Sequence, residues 1–319
     1  MSAFDEFDLS GLETVSISGR KSKVQAAAFA SPLKAGSGIL DLIDSMPKIL
    51  AGNDIRTVVD GIARAAMGGK AVIAAMGGHV VKCGLGPIIS DLIARGVITT
   101  VAMNGAGVIH DCEIALFGHT SEDVYPALRD GSFGMTGETA AFVNEAVSRA
   151  ASDGLGLGES LATAVIEAKA RYESASILAA AGRAGIPLTV HVALGTDTVH
   201  VHPSANGAAW GEATLRDFRI LVAAMSHLSG GVLLNIGSAV VLPEVVLKSF
   251  AVLKNQKRDL GSFLAVNLDF LRQYRSNEQI VARASAVGGK GVAITGHHEI
   301  LVPLIAGCVI EQMERSKGL

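Results

Sequence analysis

Apolar residues fall into five short runs along the chain, and each run ends in a glycine-rich or polar turn that leads into a segment of helical period. The runs are residues 70–78 (KAVIAAMGG), 98–107 (ITTVAMNGAG), 187–197 (PLTVHVALGTD), 231–238 (GVLLNIGS) and 291–298 (GVAITGHH). A strand apolar on both faces needs helices on both sides. Near-continuous runs of this length therefore predict a parallel sheet in a doubly wound, Rossmann-like α/β fold. The pattern before the first run predicts a helix over 38–49, with Leu40, Ile43 and Met46 on one face, and another over 54–67 capped by Asn53. A further helix over 85–95 is closed by Gly96.

Between the second and third runs the rhythm breaks. Residues 136–151 and 160–184 read as helices, so about 112–185 is expected to be a helical insertion. The glycines of 154–158 (GLGLG) follow a helix rather than a strand and read as a helix–helix linker, not a phosphate cradle. Residues 1–30 have no sustained period and are expected to form an N-terminal arm, leaving 31–319 as a single nucleotide-binding α/β domain.

Ligands of such sheets bind beyond the carboxyl ends of the strands, where this chain places Gly77, Gly78, Asn104, Gly105, Ala106, Asp197, Gly237, Ser238 and Gly296. A phosphate or ribose needs backbone N–H groups that approach without a Cβ in the way. Each turn alone reads equally as a tight strand-to-helix connection; together they predict a nucleotide crevice, with Asp197 accepting from a ribose or capping the next segment. His110, followed by Asp111, and His297 stand at strand ends as candidates for proton transfer. His191, inside a strand, reads as a core histidine. His200 and His202 alternate, so in an extended segment both rings would face one way and could share a zinc ion, the alternative to polar site lining. Glu113, Glu212, Glu244, Lys82, Arg283 and Lys290 have no spacing that fixes a mechanism and read mostly as solvated charges.

Composition narrows the class. With 49% hydrophobic and 18% charged residues and a mean hydropathy of +0.41, the chain has little charged surface to spare, which predicts a homodimer or homotetramer. A formal charge of −3 without Lys/Arg clusters argues against nucleic acid. The acidic start and the lack of a long apolar stretch predict a cytoplasmic protein with no membrane contact. Cys83, Cys112 and Cys308 have no paired spacing and read as free thiols.

The order of motifs resembles deoxyhypusine synthase, a family on a fold shared with NAD/FAD-binding proteins such as sirtuins. Residues 84–111 (GLGPIISDLIARGVITTVAMNGAGVIHD) are similar to its helix, strand and T-A-G-G-x-E-E-D turn. Residues 186–197 (IPLTVHVALGTD) are similar to its I-P-V-x-x-P-A-L-T-D strand, and 293–306 (AITGHHEILVPLIA) to its last strand and helix. The resemblance implies NAD across these edges, lined by Asn104, Gly105, Ala106, Asp197, Gly296 and His297. It also has departures. The family's W-G-K loop with the catalytic lysine falls on 280–290 (IVARASAVGGK), where Arg283 is near the lysine position and Lys290 is the one nearby amine. Trp210-Gly-Glu212 comes before the fourth run and matches only by accident. The family's paired glutamates become Ile109 and His110, and its histidines after the fourth strand become the apolar 239–242. The expectation is thus an NAD-using enzyme of transferase or oxidoreductase type on a small-molecule substrate, not an authentic deoxyhypusine synthase. The alternatives are a metal-dependent hydrolase or isomerase using His200 and His202, and a non-catalytic nucleotide-binding regulator.

Overall fold

The computed structural model describes residues 4–318. Its strands are β1 (Val72–Met76), β2 (Thr100–Asn104), β3 (Leu188–His191), β4 (Val232–Ile236), β5 (Phe263–Asp269) and β6 (Gly289–Thr295). They form one six-stranded sheet, every pair parallel, in the order β3-β2-β1-β4-β5-β6. The doubly wound expectation holds, but the five apolar runs left out β5. Its run is broken by Asn267 and no glycine turn follows it. Asn267 is tolerated in the core because Asn235, its partner on β4, donates from Nδ2 to its Oδ1 at 2.7 Å.

The helices are α1 (Ile39–Ser45), α2 (Leu50–Met67), the short α3 (Gly78–Lys82), α4 (Gly86–Ala94), α5 (Gly105–Phe117), α6 (Val124–Asp130), α7 (Gly137–Asp153), α8 (Leu157–Glu167), α9 (Ile177–Ala184), α10 (Gly207–Met225), α11 (Val241–Asn255), α12 (Tyr274–Ser276) and α13 (His298–Lys317). Alternation along β1 divides the core: Val72, Ala74 and Met76 pack with α2, α4 and α13, while Ile73 and Ala75 pack with α10 and α11. Truncating a filled position such as Leu221 or Leu233 to Ala would cost about 2–5 kcal/mol.

Three helix boundaries differ from the sequence pattern. The first helix ends at Ser45 rather than at 49, because Pro47 holds the residue before it, Met46, extended (ψ 157°). The second helix starts at Leu50, so Asn53 lies inside it and donates to the Lys48 carbonyl at 2.7 Å instead of capping. The span 160–184 is two helices, α8 and α9, because Lys169 turns left-handed (φ 50°) and Ser176 restarts the chain by accepting from Ala179 N at 3.0 Å. Helices α5 to α9 fill the connection between β2 and β3. Within it, the glycines of 154–158 serve packing: a Cβ on Gly158 would stand 2.0 Å from the Leu188 carbonyl oxygen, and one on Gly156 2.1 Å from Asp217 Oδ1. Residues 4–27 are exposed, and the chain joins the domain where Ala28 and Ser31 pair with Lys48 and Ser45.

Candidate functional site

The strand order reverses between β1 and β4, so the crevice of a doubly wound sheet belongs at their carboxyl ends. The glycine turns meet there in one line of close contacts. A Cβ on Gly77 would stand 2.3 Å from the Gly237 carbonyl oxygen, one on Gly78 3.2 Å from both Ala106 and His110, and one on Gly105 2.0 Å from Asp197 Oδ2. In each case the missing side chain is used by the protein's own packing. Asn104 caps α5, its Oδ1 accepting from Gly107 N at 2.9 Å. Buried Ser238 accepts from Leu242 N at 3.3 Å through Oγ, and its carbonyl takes hydrogen bonds from Asn235 and Ser276. Gly296 N continues the ladder to the Asp269 carbonyl at 3.0 Å.

Beside this line, a cleft of about 450 Å³ opens between α5, α7, the 118–136 segment and the turn holding Asp197. Lys82, Ala106, His110, Glu113, Thr120 and Asp197 are among the residues that line it. His110 is held by a relay. Thr120 Oγ1 donates its single proton to Glu113 Oε2, so it must accept from His110 Nδ1, 2.7 Å away. Thr139 also donates to Glu113, at 3.0 Å. Burial alone would raise the Glu113 pKa, but the His110 ring 3.8 Å away and the hydrogen bonds from Thr120 and Thr139 outweigh it and hold the carboxyl below its ordinary value. With its Nδ1 proton fixed, the neutral His110 ring has Nε2 as its basic atom. Asp197 lines the same cleft with Oδ2 4.0 Å from His200 Nδ1, and burial pushes its pKa up to about 6, against the opposing pull of His110.

Glu113 is therefore a site residue that the sequence reading left as a solvated charge, and Thr120 one that it did not single out. The available signal was the i, i+3 spacing of His110 and Glu113 on one helix.

Three expectations are corrected. Asp111 does not orient His110. It is fully buried and caps α9, accepting from Ser176 Oγ at 2.5 Å, Ile177 N at 2.8 Å and Leu178 N at 3.1 Å. Burial raises its pKa to about 6 even so. His200 and His202 do not share a face, because Thr198–Val201 is a 3-10 turn rather than a strand. His200 Nδ1 accepts from Gly195 N and Asp197 N at 3.2 and 3.3 Å while its ring packs edge-on against Trp210 at 4.5 Å; His202 faces the Gly134 carbonyl at 3.4 Å. Among the described residues, no group of three His, Cys, Asp or Glu could hold a metal ion. His297 precedes α13 at the rim, 68% exposed, with Nδ1 3.7 Å from Glu299, apart from the His110 cleft. His191 is buried in β3 as a core residue, its pKa lowered to about 3 by burial. Lys290 sits near the amino-terminal end of β6, paired with Leu264. It is five residues, about 17 Å of strand, before Thr295 and the crevice.

No protein-family model matches the chain, and no curated protein matches it in sequence. Solved structures do share its architecture. A conserved protein assigned as LOR/SDH from Methanococcus maripaludis S2 aligns with a TM-score of 0.50 at 12% identity, over 84% of this chain and 70% of that one. AgrE in its ternary complex with ornithine and NAD+ aligns with a TM-score of 0.52 at 15% identity; the match covers 83% of this chain and 34% of the AgrE chain. A protein assigned as a deoxyhypusine synthase from Entamoeba histolytica aligns with a TM-score of 0.50 at 10% identity, over 88% of this chain and 96% of that one. At such identities the likeness is one of fold. Among the described residues, no helix is long and apolar enough to cross a membrane.

Proposed function

We propose that the chain is an NAD-binding enzyme on a deoxyhypusine synthase-like scaffold, acting on a small polar substrate without aminobutyl transfer. The observation that carries this reading is the His110–Thr120–Glu113 relay, which leaves Nε2 as the basic nitrogen of a histidine lining a cleft on the carboxyl edge of the sheet. The residues there suit a dinucleotide. Asp197 offers a carboxylate to ribose hydroxyls, and Lys82 offers an ammonium to a phosphate. Bound NAD would supply hydride transfer. His110 Nε2 would take the proton from a substrate hydroxyl or amine, Glu113 and Thr120 would hold the ring's tautomer, and Asp197 would orient the ligand. The AgrE complex supports the cofactor by fold analogy alone. Placement of Lys290 at the far end of β6 speaks against the imine chemistry of the resembled family.

The test is calorimetric titration with NAD, NADP and FAD alongside thermal unfolding. A ligand at a hundred times its Kd stabilises the fold by about 2.7 kcal/mol, a readable shift. Asp197→Ala should weaken binding and leave the fold intact. Absence of both heat and shift for all three compounds would sink the dinucleotide reading, whereas binding without any turnover would identify a regulator.

A further inference from the structure

Helix α3 turns two residues in different directions. Gly78 packs against Ala106 and His110, while His79 reaches toward the ends of β5 and β6. There it meets Phe270, just beyond β5, and His298, the first residue of α13, with ring centroids 5.5 and 5.4 Å away; Phe270 and His298 are 6.1 Å apart and edge-on. His79 and Phe270 are exposed, and His298 is completely buried. His298 Nε2 lies 3.1 Å from the Leu268 carbonyl, which can only accept, so the proton is on Nε2 and Nδ1 of the neutral ring is an acceptor. That Nδ1 is buried without a hydrogen-bond partner. A buried acceptor left unmade is costly, and one at the switch-point edge of a doubly wound sheet marks a place where a ligand's donor belongs. Gly237, left-handed at φ 64°, lets the backbone pack close against the ring: a Cβ there would stand 2.8 Å from His298 Cε1. The neighbouring Cys83 thiol, 3.3 Å from His79 Nε2, offers no competing use as a nucleophile, because burial and the Glu299 carboxylate push its pKa up.

We propose that His79, Phe270 and His298 form a subsite for a planar nitrogen heterocycle bearing an amide or amino N–H. The heterocycle packs on the exposed Phe270 and His79 rings, His79 swings from its edge-on contact to admit it, and the N–H donates to His298 Nδ1. The identity of the occupant rests on the nucleotide reading above. A nicotinamide carboxamide and an adenine amine share this chemistry.

The full chain is titrated with NAD, nicotinamide mononucleotide and AMP, following heat and the side-chain 15N signals of His79 and His298. The expected result is a perturbed His298 Nδ1 signal with the mononucleotide if the ring is nicotinamide, or with AMP if it is adenine. Phe270→Ala, a change at a partly exposed position, should weaken NAD binding about tenfold, and His298→Phe should do likewise. If the wild type binds NAD while Phe270→Ala binds it equally and the His298 signal is unmoved, the subsite is overturned and the nucleotide reading stands. If none of the three compounds binds the wild type, both fall.

Discussion

A Cβ placed on Gly105 would stand 2.0 Å from Oδ2 of Asp197, so the first residue of α5 can be nothing larger than glycine while that carboxylate keeps its position. Gly105→Ala should push the half-exposed turn around Asp197 outward. The expected cost is about 1–3 kcal/mol of stability by denaturant unfolding. NAD affinity should fall together with it, as in Asp197→Ala. An unchanged affinity in Gly105→Ala would take Asp197 out of the ligand site.

Thr120 passes its proton to Glu113 and accepts from His110, so its hydroxyl sets the histidine tautomer. In the wild type, side-chain 15N spectra should place the neutral-ring proton of His110 on Nδ1. Thr120→Val should mix the tautomers and lower turnover roughly tenfold to a hundredfold, because a mispositioned base acts poorly. Thr120→Ser should restore both. Identical spectra in the wild type and the valine variant would refute the relay.

Buried Asp217 couples stability to pH. Burial raises its pKa from an ordinary 3.8 to about 7, overcoming hydrogen bonds from Val190 N at 2.7 Å and Gly158 N at 2.9 Å. The folded chain then holds a proton there that the unfolded chain releases, so the associated stability is fully present below pH 3.8 and is lost as pH rises through about 7. Asp217→Asn lacks this dependence. Urea unfolding across that window should show the wild type losing up to roughly 4 kcal/mol relative to the variant. A constant difference would show that Asp217 is not the group responsible.

Lys290 is remote from the crevice, and Arg283, which donates to Gln279 at 2.5 Å, cannot form an imine. Incubation with spermidine and NAD followed by borohydride should therefore leave no aminobutyl adduct, and addition of the precursor translation factor should give no deoxyhypusine. Mass spectrometry finding an adduct on Lys290 would restore the synthase reading.

The parallel sheet was legible because strand burial writes itself locally: a strand covered on both faces is apolar at successive positions, as in Val72–Met76. Phe263–Asp269 escaped notice because no glycine turn follows it, and its Asn267 is satisfied by a residue on another strand, 32 positions earlier. The same limit governs the site. Sequence alone placed Asn104 and the glycines at strand ends; His110, expected there, lies inside α5, and Asp197 lies six residues past the end of β3. Sequence also joined His110 to Asp111 by adjacency, yet adjacent residues on a helix point about 100° apart, and Asp111 turned to cap α9. The partner His110 does find, Thr120, comes from a loop whose path depends on how the insertion packs. Local period determines elements and their ends; the facing of side chains across loops and layers is decided only by tertiary packing, because those contacts join residues that have no fixed spacing in the chain.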